Sequence, residues 1–113
     1  MANPNMAGLT EMYGNTTSSA VSTSWTTILT CPSNKVCKIN SIIVSNIDGA
    51  NSADINIDIG GYYIARTIAV PADTSLVVVS KDTGLYLEEG VALRCYASAN
   101  SDLQIVVSYE QIG

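Results

Sequence analysis

The sequence predicts an all-β fold, an antiparallel β-sandwich of about eight strands with jelly-roll-like winding. Three observations lead there. From Ser22 onward, apolar and polar residues alternate with period two and β-branched residues are frequent. Turn chemistry recurs at roughly eight- to twelve-residue intervals. No stretch carries a 3.6-residue apolar stripe long enough for a helix.

Residues 1–20, MANPNMAGLTEMYGNTTSSA, hold few large apolar side chains and read as an N-terminal arm or peripheral strand, with a short extended candidate around Leu9 to Tyr13. Residues 21–113 read as a single sandwich domain. Its strands are expected at Thr23 to Thr30, Val36 to Ser45, Asp54 to Ile59, Tyr62 to Val70, Ser75 to Ser80, Gly84 to Leu87, Leu93 to Ala97 and Leu103 to Ile112. Each break carries a reason. Cys31-Pro32-Ser33-Asn34, Pro71-Ala72-Asp73 and Glu88-Glu89-Gly90 hold turn formers, and Gly60-Gly61 is a two-residue hairpin loop. Ile47 to Ala53, Lys81-Asp82-Thr83 and Ser98 to Ser101 complete the set.

The chain has 113 residues, enough for one domain with a genuine core, and is 47% hydrophobic but only 13% charged. Ser, Thr and Asn make up the difference, so the expected surface is polar and neutral. The net charge is −5, and Lys35, Lys38, Arg66, Lys81 and Arg94 are scattered, so no basic patch for nucleic acid is expected. The start MANPNMAGLTEM lacks a basic n-region and an apolar h-region, and the longest aliphatic run is Leu76 to Val79. Neither a signal peptide nor a membrane-spanning helix is expected.

Histidine is absent, which removes the commonest general base and metal ligand. No cofactor and no enzymatic activity are expected. Cys31, Cys37 and Cys95 are odd in number and, without an export signal, read as buried free thiols in a reducing cytosol, with a Cys31–Cys37 bridge across a hairpin as the alternative.

The stretch NIDGANSADINIDI resembles a calcium loop at first sight. Counted from Asp48, however, the glycine falls second and the twelfth residue is Ile59, where an EF-hand needs glycine sixth and glutamate twelfth. A strand explains the acids instead, with Ile55, Ile57 and Ile59 facing the core and Asp54, Asn56 and Asp58 the opposite side. Asp48 or Asn51 then bonds back to the local backbone in the preceding turn. Glu88 and Glu89 are adjacent in a turn, which gives no facing catalytic pair.

Contact residues are sought among the aromatics. Tyr62 and Tyr63 are neighbours in a strand, so one faces outward if the other is buried. Tyr13 lies in the arm. These three are the candidates for contact with another protein subunit, with Trp25 and the tyrosine faces as candidates for sugar stacking in a carbohydrate-binding reading. INSIIVSN and LQIVVSYEQI place apolar residues on both strand faces, and with no helix to cover the second face another subunit is the economical cover.

KINSIIVSNIDG, ADINIDI, TIAVPADTSLVVVSKDTGLYLEEG and LQIVVSYEQI, in this order, resemble a group of small β-rich virion structural proteins from tailed phages of cyanobacteria and other aquatic bacteria. The likeness covers residues 36 to 112. Such proteins often carry an insertion between the strands matching Asp54 to Ile59 and Tyr62 to Val70, where only Gly60-Gly61 stands here. The resemblance implies a capsid decoration or cement protein, assembled in the host cytoplasm and located in the virion. It also implies the major capsid protein as partner and a homo-oligomer, trimer favoured, with no nucleic-acid or membrane partner. A tail, neck or fibre component, or a carbohydrate-binding adhesin module, is the alternative.

Overall fold

The computed structural model describes residues 12–113 other than Lys81, Thr83 and Gly84. Residues 1–11 of the expected arm, most of the Leu9 to Tyr13 candidate, and the Lys81, Thr83 and Gly84 positions of a turn and strand start lie outside the described residues.

The described residues form nine strands and no helix: β1 Met12–Ala20, β2 Thr26–Thr30, β3 Val36–Asn46, β4 Ala53–Ile59, β5 Tyr62–Val70, β6 Ser75–Val79, β7 Leu85–Leu87, β8 Ala92–Ala97 and β9 Leu103–Ile112. Sheet A runs β1-β9-β3-β6, with short β7 also pairing β3, and sheet B runs β2-β8-β4-β5. Every pairing is antiparallel.

With β7 set aside, the pairings β1–β9, β2–β8, β3–β6 and β4–β5 are nested. The chain is therefore one long hairpin wound over itself, the jelly-roll connectivity. Its tip is the β4–β5 turn, where Gly60 and Gly61 both take positive φ, 59° and 90°, between the paired Ile59 and Tyr62. A two-residue turn with φ positive at both positions matches the twist of the strands it joins and favours glycine.

The core lies between the sheets. Ile39, Ile42 and Val44 of β3 and Leu103, Ile105 and Val107 of β9 meet Ile55 and Ile57 of β4 and Leu93 and Cys95 of β8, each fully buried. Alternation explains the pattern, because burying one face of a strand fixes every second residue and sets the register. The three cysteines are free and buried.

Strand β5 and strand β9 keep the bounds read from sequence. Strand β2 starts at Thr26 rather than Thr23, because hydroxyl bonds fold the residues before it into a turn. Strand β1 pairs with β9 from Met12↔Ile112 to Ala20↔Gln104, so residues 12–20 are an edge of sheet A. The 47–53 turn is fixed by Asn46, 3% exposed: its Nδ2 donates to the Asn51 and Val70 carbonyls at 2.9 and 2.8 Å, and its Oδ1 accepts the Asp48 N–H at 2.9 Å.

Candidate functional site

Two outer faces remain, one per sheet. On sheet B, register places Arg94, Asp58 and Tyr63 side by side across β8, β4 and β5, and Tyr96 beside Asn56 in the next row. Trp25 joins them from the segment before β2. The Ser22 hydroxyl and the Thr26 hydroxyl both donate to the Ser24 carbonyl, at 2.9 and 3.1 Å, and Ala97 N–H donates to the Ser22 carbonyl at 2.8 Å. That turn holds the indole over β8.

The contacts form one cluster. Trp25 meets Tyr96 edge to face at 4.4 Å between centroids and Tyr63 at 5.9 Å with a 48° tilt. The Arg94 guanidinium stacks 4.5 Å above the indole, and that of Arg66 lies 5.3 Å from the Tyr63 ring centre. Arg94 also holds Asp58 with two parallel bonds, Nε donating to Oδ1 at 3.0 Å and Nη2 to Oδ2. Such fork-to-carboxylate pairing is both stronger and more directional than a single bond, and the Asp58 carboxylate raises the pKa of Arg94. Desolvation, then the neighbouring Tyr63 phenol, raises that of Tyr96.

The polar residues of β4 face away from the core, as the alternation requires, but they are not left to open water. Asp58 is 2% exposed and Asn56 4%, although both point away from the core. Long side chains from β8, β5 and the Trp25 turn fold over them. Asp48 does follow the turn reading: its Oδ1 accepts the N–H of Ala50 at 2.8 Å and of Asn51 at 3.3 Å, which lowers its pKa.

Strand β5 carries a backbone outlier within this face. The β4–β5 register shifts between Ile55 and Ile57, and Thr67 sits at φ 54°. A β-branched residue in the left-handed region is strained by about 1–3 kcal/mol and persists only where its surroundings enforce it. Asn56 enforces it, its Oδ1 accepting the Thr67 N–H at 2.9 Å. The bulge turns Arg66 onto the Tyr63 ring, in keeping with the general use of bulges to re-aim side chains.

Sheet A is different. Its outward rows read Gly14, Glu110, Lys38, Tyr86, then Thr16, Ser108, Ser41, then Ser18, Val106, Ile43, Val77, then Ala20, Gln104, Ser45, Ser75. Glu110 and Lys38 put two opposite charges in the first of these rows, and no side chain of the other three is charged. Val77 is 57% exposed and Val106 37%, with Ile43 half-buried between them. The second apolar face read from INSIIVSN and LQIVVSYEQI is thus a single stripe between rows of hydroxyls and amides, such as the Ser45–Ser75 pair at 2.9 Å.

Tyr13, Tyr62 and Tyr63 are all exposed, so both members of the Tyr62-Tyr63 pair reach solvent. They do not form one site. Tyr63 belongs to the sheet B cluster, Tyr62 flanks the Gly60-Gly61 turn, and Tyr13 lies on β1 of the other sheet. Arg66, Arg94 and Asp58 were not among the sequence candidates, since their proximity depends on register between strands far apart in the chain. Comparison with protein-family models, characterised proteins and solved structures finds no match.

Proposed function

We propose that the chain is a structural protein of a tailed-phage particle, seated on the outside of the capsid shell, where it bridges neighbouring copies of the major capsid protein. The observation that carries this reading is the run of three uncharged rows on the outer face of sheet A, from the Thr16 row to the Ala20 row. Depletion of charge at the centre of a patch is the compositional mark of interfaces, and an apolar stripe edged by hydroxyls that pair with one another, as Ser45 does with Ser75, can be covered without stranding a charge. The resemblance of residues 36 to 112 to virion proteins supplies the partner. Jelly rolls serve in both capsid and lectin domains, so the fold alone does not choose between them.

Size bears on the assembly. Four strands about 4.8 Å apart and the three uncharged rows give a flat patch of about 400 Å². Stable interfaces take about 800 Å² per partner. One such patch is too small for firm attachment by a single copy, which favours a homo-oligomer, a trimer in our reading, that presents several patches at once and gains from multivalency. Binding the assembled shell in preference to free subunits then stabilises it by mass action.

The test is to mix the protein with undecorated shells of the parent particle and to measure occupancy and the temperature at which the shells open. Saturable binding with a raised opening temperature is expected. No binding would remove the protein from the capsid and turn attention to the tail or neck.

A further inference from the structure

The geometry points to a second, independent site on the opposite face: the Trp25, Tyr63, Arg66 and Asn56 surface of sheet B binds a saccharide that carries a carboxylate, of the hexuronic-acid type. This goes beyond shell attachment and does not depend on it.

Each part of the surface asks for a part of such a ligand. Trp25 is 38% and Tyr63 46% exposed, and their rings tilt 48° to each other as a shelf with a guanidinium over one face of each, Arg94 on Trp25 and Arg66 on Tyr63. The C–H bonds on one face of a pyranose ring carry partial positive charge and pack against the negative face of an aromatic ring. Arg66 is exposed, and among the described residues no carboxylate pairs with it. Held over Tyr63 by the strained bulge, its guanidinium stands at the shelf's edge, placed to take a carboxylate through two hydrogen bonds. Asn56 is 96% buried by its 4% exposure, and Thr67 engages its Oδ1. Its Nδ2 has no acceptor among the described residues and is left to donate to a ligand hydroxyl.

An acidic peptide meets only one of these demands. Aspartate and glutamate side chains bring a carboxylate on a flexible stem, without a flat C–H face or hydroxyls. A hexuronic acid brings all three on one rigid ring, which lowers the ordering cost of binding. Charge also favours this location. Asp58 is neutralised by Arg94, so Arg66 gives the shelf a local positive charge on a chain of net charge −5. Repulsion from the remaining acids is screened beyond about 8 Å at physiological ionic strength.

The chain has a single tryptophan, Trp25, so its fluorescence reports on the shelf directly. Titrations would use hexamers of β-1,4-mannuronate and α-1,4-galacturonate, neutral β-1,4-mannohexaose, and hexaglutamate. At least one uronate hexamer is expected to shift Trp25 emission at millimolar concentration and to bind about tenfold or more tightly than mannohexaose. Arg66→Gln should erase that preference, Tyr63→Ala should weaken uronate and neutral binding alike, and Val77→Ser on the other face should change neither. Failure of both uronates to bind, equal binding of the charged and neutral hexamers, or hexaglutamate binding as tightly as the uronates would each overturn the assignment.

Discussion

On the outside of sheet A, Ile43 lies between Val77 and Val106 and its neighbouring rows end in hydroxyls and amides; on the outside of sheet B, Asp58 lies between Arg94 and Tyr63 beneath an indole. Both faces come from the same alternation of strand residues. Side-chain length separates them. Serine, threonine and valine reach no further than their cross-strand partners, so sheet A stays flat and its side-chain contacts stop at the neighbouring strand, as in the Ser45–Ser75 pair. Arginine, tyrosine and tryptophan reach across two strands, so sheet B gains a third layer that shields a carboxylate from water. Substitutions on the outer rows of sheet A should therefore leave stability alone and change what the protein touches, whereas breaking the Asp58–Arg94 pair beneath the sheet B layer should disturb the fold itself.

The largest effect should come from beneath both faces. Ile57→Asp places an unpaired carboxylate where the native side chain is fully buried and should cost about 4 kcal/mol or more, enough to abolish soluble folded protein. A cooperative unfolding transition near that of the parent would mean that the β4 register is not as described.

Next is the ion pair. Asp58→Ala strips Arg94 of its partner, and because the Arg94 side chain keeps 36% exposure the cost should be about 2 kcal/mol, below that of a fully buried pair. Denaturant unfolding measures this, and near-ultraviolet circular dichroism should show loss of the fixed Trp25 environment. Replacing both partners, Asp58→Leu with Arg94→Met, should recover part of the loss, since no charge is then left stranded. A single variant as stable as the parent would show that the third layer is ornamental to stability.

A smaller effect should appear with pH. Burial, with Cys31 adding to it, pushes the Cys37 thiol up to about 12, and burial pushes Cys95 up to about 11, from an ordinary 9.0. Below pH 9 both folded and unfolded chains keep these protons, so the contribution is constant. Between pH 9 and 11 the unfolded chain gives them up while the fold retains them, so stability falls as pH rises through that window. The urea midpoint should decline across it, and Cys95→Ala should flatten the decline. A midpoint that rises above pH 9 would contradict the burial of these thiols.

Smallest should be the effect of charging the flat face. Val77→Lys and Val106→Lys are exposed positions and should shift stability by no more than about 0.5 kcal/mol. A shift of several kcal/mol would mean that the sheet A face is part of the fold's support.

The strands and the tip of the jelly roll were legible because their cause is local. Ile55, Ile57 and Ile59 declare a buried face by spacing, and Gly60-Gly61 declares a turn by its tolerance of positive φ. Strand β1 was legible only as one of two alternatives, an arm or a peripheral strand, and the structure pairs residues 12–20 at the edge of sheet A. Its sequence MYGNTTSSA lacks apolar alternation because an edge strand with little cover on either face has no buried side to mark. The sheet B layer was hidden for another reason. Asp58 and Arg94 meet only because β4 and β8 pair in one register, and Thr67 adopts φ 54° against the preference of its own residue type. Trp25, by contrast, was already a candidate for ring stacking, as the one large aromatic in a run of serines and threonines.

The central claim, that sheet A and not sheet B meets the shell, is tested most directly by occupancy on undecorated shells. Val77→Lys and Val106→Lys would be compared with Tyr63→Ala and Arg66→Gln in the same assay, with stability checked in parallel. The two lysine variants are expected to remain folded and lose attachment by about tenfold or more, because each buries an unpaired ammonium in the contact, while the two sheet B variants bind as the parent does. Normal attachment of the lysine variants together with loss in the sheet B variants would contradict the account.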